Sequence, residues 1–65
     1  MSATELNLIL NALNDREGVL ASEWEAANRA NSSALMRKLS NEIDEVRELG
    51  YKIAKQLIDY KRLAA

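Results

Sequence analysis

Apolar residues recur through the first half of the chain at Leu6, Ile9, Leu10, Leu13, Leu20, Trp24 and Ala27, at spacings of three, four or their sum. That is the pattern of one helical face turning ~100° per residue. The second half repeats in heptads. With Met36 at position a, the a row is Met36, Ile43, Gly50, Leu57 and Ala64, and the d row is Leu39, Val46, Ile53 and Tyr60. Leu35, Leu49 and Leu63 add a flanking row, which widens the stripe beyond a two-stranded seam. Ser2 followed by Glu5 predicts a capping box at the start of the first helix.

The two stripes are out of phase. Continued by sevens, the row Leu6, Leu13, Leu20, Ala27 reaches Asn41 on the polar side of the second stripe. Neither a stutter nor a stammer repairs a slip of that size, which disfavours one continuous helix. The slip falls in Asn28–Ser33, where Asn31, Ser32 and Ser33 all suit a helix N-cap. The chain therefore predicts a single helical-hairpin domain over residues 1–65: a helix over about 3–30, a turn over about 30–33 and a helix over about 33–63. The polar run Asn14-Asp15-Arg16-Glu17-Gly18 interrupts the first stripe and could be a loop. Because Leu6, Leu13, Leu20 and Trp24 keep one phase across it, the expectation is a helix that runs through, with Gly18 on its outer side.

Folding about residue 31 or 32 sets Leu6 near Leu57, Leu10 near Ile53, Leu13 near Gly50, Leu20 near Ile43 and Trp24 near Leu39. Leu13 against Gly50 suggests large facing small, a reason for glycine inside a helix. Leu8 and Ala12 lie outside the first stripe, and Tyr51, Ala54 and Ile58 lie outside the second, all toward the open end of the hairpin. One partner helix cannot cover two faces, so these five are the expected self-association surface. The expected fold class is all-α: an antiparallel two-helix hairpin assembling into a dimeric four-helix bundle or a higher helical oligomer.

Composition pushes the same way. A chain of 65 residues buries little of its surface, and such scaffolds rely on disulfides, metals or association. With no Cys and no His, disulfides and the commonest metal ligands are excluded, and no cofactor is expected. Apolar runs fall short of a membrane span, and "MSATELNLIL" lacks the basic start of a signal peptide, so a soluble cytoplasmic protein without membrane partners is expected. Residues 1–32 carry five acids and two bases, and residues 33–65 five acids and seven bases. The halves are thus −3 and +2, which favours contact between unlike helices.

Chemistry has few footholds. Triads and zinc sites fail for want of Cys and His, and phosphate-binding glycine loops are missing. Glu42, Asp44, Glu45 and Glu48 are dense, but Glu45 and Glu48 fall on the outer face, as a solvated surface would place them. Glu17 lies on the seam opposite Val46 and calls for a cation, either Arg47 of the other helix or Arg16 of a second chain. Arg16, Glu17 and Arg47 are read as a polar layer that sets register, not as catalytic groups, and no enzyme activity is expected. Lys52, Lys55, Lys61 and Arg62 gather near the C-terminal end with Tyr51 and Tyr60, a weak basic patch that complements the helix dipole. Trp24 is expected to pack in the core. In order, the expected roles are a non-enzymatic protein–protein interaction module that self-associates and also binds another protein, a small chaperone or inhibitor holding an amphipathic partner segment, and a dimeric RNA binder.

Overall fold

In the computed structural model, which describes residues 2–64, Ser2 starts the first helix by accepting the backbone N–H of Glu5 on its hydroxyl at 3.2 Å. The same hydroxyl donates to the Glu5 carboxylate at 3.2 Å, so the box closes between side chains instead of returning to the Ser2 backbone. Helix α1 runs over Ala3–Arg29 and helix α2 over Ser33–Ala64, with no strand among the described residues. The backbone alone is described for Ala64, so its place in the a row lies outside what can be assigned. Helix α1 is unbroken through Asn14–Gly18, as the conserved phase of its apolar residues implies.

The turn differs from expectation in one residue. Ala30 ends α1, and Asn31 adopts the left-handed conformation at φ 56°. The Ser32 N–H then reaches the Ala27 carbonyl at 3.0 Å, and the Asn31 N–H reaches the Asn28 carbonyl at 3.1 Å. This pair of bonds is a Schellman motif, which satisfies the last carbonyls of α1. Asn31 therefore closes the first helix, and Ser32, whose carbonyl accepts the Met36 N–H at 3.0 Å, opens the second. Asparagine suits the first task because it tolerates αL better than other non-glycine residues.

The helices return antiparallel over a body of 50 × 14 × 14 Å. Their seam holds two apolar clusters. Leu6, Ile53 and Leu57 form one toward the open end, packed by Ala3, Ile9, Leu10 and Leu13. Leu20, Ala27 and Leu39 form the other toward the turn, packed by Trp24, Met36, Ile43 and Val46. Between them the sequence offers Glu17 and Gly50 in place of large apolar residues, and the core divides there.

Candidate functional site

Two ion pairs mark the two long flanks of the seam. On one flank the Arg47 Nε–H donates to the Glu17 carboxylate. On the other, Arg16 lies 3.9 Å from Glu42. The bond to Glu17, and then its negative charge, holds the Arg47 guanidinium above its ordinary pKa. The expected cation for Glu17 is thus Arg47 of the same chain, and Arg16 has its own partner. Glu17 itself is not buried: its side chain keeps 30% of its exposure, and no polar residue is buried among the described residues. The polar layer is a clasp on the rim of the seam, because the helical phase turns Glu17 off the line of Leu13 and Leu20 toward solvent.

The Glu17 flank is grooved. A cleft of about 310 Å³ is lined by Leu10, Leu13, Asn14 and Glu17 from α1 and by Val46, Gly50, Tyr51 and Ala54 among others from α2. A second, of about 290 Å³, continues past Arg47 to Trp24, Ser40 and Asp44. Gly50 opens the first cleft: a Cβ built there meets nothing within 4 Å. The expected close packing of Leu13 on Gly50 is not formed, since the helices at that level leave space instead of touching. Gly18 is likewise free of neighbours.

No family model, curated protein or solved structure matches the chain. What the site can do must therefore come from its own geometry.

The five residues expected to form one self-association surface share the open end but not a flank. Tyr51 and Ala54 line the Glu17 cleft, and Ile58 follows Tyr51 and Ala54 at helical spacing. Leu8 and Ala12 precede Arg16 by eight and four residues, which places them on the Arg16–Glu42 flank. Leu8, Tyr51 and Ile58 are well exposed, at 64%, 75% and 58%, Ala12 is exposed and Ala54 is half-buried. The sequence pattern located surplus apolar residues along the chain, but it could not assign them to sides without the register of the second helix.

The basic residues do not converge. Lys52 lies 3.7 Å from Glu48, while Lys55 and Arg62 share an outward face and Lys61 is turned ~100° from Arg62. Among the described residues no group of three acidic, His or Cys side chains is placed to hold a metal ion, and no helix is long and apolar enough to cross a membrane. Trp24 packs on the turn-side cluster, and its ring N–H donates to the Ser40 hydroxyl at 3.1 Å. Ser40 is the residue that sequence reasoning missed. The signal was there, because a half-buried indole N–H needs an acceptor and Ser40 adjoins the expected neighbour Leu39.

Proposed function

We propose that this hairpin is a self-associating protein–protein interaction module with no catalytic chemistry of its own. One observation carries the proposal: among the described residues Leu8, Val19, Leu35, Leu49, Tyr51, Ile58, Tyr60 and Leu63 are exposed, while six apolar residues are buried, one of them an alanine. Eight large apolar side chains thus stay in water against five buried outright, with Ile9, Leu10, Leu13, Trp24, Met36, Ile43 and Val46 half-buried, and a surplus on this scale is the mark of a contact surface. A homodimer that extends the seam into a four-helix bundle would cover those on the docked face with the same kind of side chain. The test is the mass in solution at micromolar concentration, by light scattering behind a sizing column. A mass near twice the 7.3 kDa chain supports self-association, and a mass near 7.3 kDa overturns it.

The Glu17 groove favours a second reading. Its mixed lining of Leu10, Leu13, Tyr51 and Ala54 beside the Glu17–Arg47 pair suits an amphipathic helix of another protein, seated between α1 and α2. On that reading the chain is a small chaperone or inhibitor, and an apolar 15-residue amphipathic peptide should protect Tyr51 from modification. RNA binding draws less support, because Lys52 is paired and Lys61 points away from Arg62.

A further inference from the structure

The two flanks differ in character. On the grooved flank the polar Asn14, Glu17, Ser40, Asp44 and Arg47 interleave with Leu10, Tyr51 and Ala54. On the Arg16–Glu42 flank, α1 presents Leu8, Ala12, Val19 and Ala26, and α2 presents Leu35, Leu49 and Tyr60, all of them exposed. Large exposed apolar side chains therefore concentrate on one side of the molecule.

The charges on this flank are ordered. From its N-terminus, α1 shows Glu5, Arg16 and Glu23. Read from its C-terminus, α2 shows Gln56, then Lys52, which lies 3.7 Å from Glu48 of its own helix, then Glu45 and Glu42, then Lys38. Laid antiparallel, Arg16 meets the acidic pair and Glu23 meets Lys38. Among the described residues Glu23 and Lys38 make no ion pair within one chain, so these charges remain available to a second copy. The numbers of the facing residues total 61, against 64 for Glu17–Arg47 and Trp24–Ser40 within the hairpin. The three-residue difference is about 4.5 Å along a helix, within reach of Arg, Glu and Lys side chains.

We infer that a second copy of this chain docks on the Arg16–Glu42 flank about a two-fold axis parallel to the helices, so that α1 lies against α2 of the partner subunit. Every neighbouring pair of helices in the resulting bundle is antiparallel, and each contact joins the −3 half to the +2 half. The flank measures 50 by 14 Å on the backbone, about 700 Å², close to the ~800 Å² per partner of a stable interface. The grooved flank stays open in this assembly.

This inference rests on the self-association proposed above and assigns its surface. The experiment measures mass and dimer dissociation constant for the full chain and for Leu49→Asp and Tyr51→Asp, with helix content as a control. Both side chains are exposed in the hairpin, so neither change opens the core. Leu49→Asp, and Leu8→Asp as a second variant, should weaken the dimer at least tenfold, and Tyr51→Asp should not. Charge exchange tests the axis. Glu23→Lys and Lys38→Glu should each weaken self-association, and an equimolar mixture of the two variants should restore a heterodimer. A monomeric parent chain removes self-association and this surface together. A dimer broken by Tyr51→Asp but not by Leu49→Asp keeps self-association and moves it to the groove, while failure of the mixture to recover overturns the α1-on-α2 axis.

Discussion

Gly50 offers the sharpest energetic test of the open cleft. Glycine in the interior of a helix is about 1 kcal/mol less favourable than alanine, because its unfolded chain has more conformational freedom to lose. That cost is usually accepted where a close neighbour forbids a methyl group. Here a Cβ at Gly50 meets nothing within 4 Å, and the residue is helical with no positive φ. Gly50→Ala should therefore stabilise the hairpin by about 0.5–1 kcal/mol. For a domain of this size that is a rise in Tm of about 2–8 °C, measured by circular dichroism at one fixed chain concentration so that the proposed association, which would shift the midpoint, is held constant. Urea unfolding should show a higher midpoint with an unchanged m value. Gly18→Ala, also without neighbours, should do the same, and the two gains should add because the sites share no contact. A loss of stability or of dimer in Gly50→Ala alone would refute the reasoning: the methyl would then be striking a chain that occupies the cleft.

Three further outcomes follow from single residues. Asn31→Val forces a β-branched residue to φ 56° and should cost about 1–2 kcal/mol in urea unfolding, while Asn31→Gly should be neutral or slightly stabilising; equal stability of all three would remove the turn's left-handed residue from the account. Ser40→Ala removes the acceptor of the Trp24 ring N–H and should cost about 1 kcal/mol in urea unfolding, whereas adding Trp24→Phe should make the same serine change nearly silent. Because Glu17 raises the pKa of Arg47, the guanidinium's contribution is complete below its ordinary value and fades only as pH rises through the raised one. The drop in Tm caused by Arg47→Met should therefore be the same at pH 6 and pH 9, and a gap that closes by pH 9 would show that Arg47 is not the charged partner.

Most of the fold was legible because helices advertise themselves by period. The stripe through Leu6, Leu13 and Leu20 carries across a polar run that looks like a loop, and α1 is continuous there. The phase slip after Ala27 placed the turn. What periodicity could not reveal was the division of labour inside that turn. Asn, Ser and Ser all read as N-caps by residue type, and only the backbone shows Asn31 taking the left-handed position that closes α1. Side-chain preference for caps is a local property, while a Schellman motif depends on where the next helix must go.

The site was half legible, for a reason that is geometric. Antiparallel register can be read from one-dimensional sums, and it put Trp24 beside Leu39 and Glu17 beside Val46, each one residue from its partner Ser40 or Arg47. Sidedness needs a second coordinate. Leu8 and Tyr51 both fall outside their stripes, yet one deviates toward Arg16 and the other toward Arg47, and in an antiparallel pair those directions lead to opposite flanks. Once the two ion pairs fix which flank is which, Val19, Leu35, Leu49 and Tyr60 join Leu8 and leave Tyr51 and Ile58 behind. A surplus that looked like one sticky end divides between two flanks, the one on which the proposed second copy would dock and the grooved one it would leave free. On the proposed docking, the two roles the sequence set in competition, self-association and capture of a partner segment, would coexist on one hairpin, because they would use different sides of it.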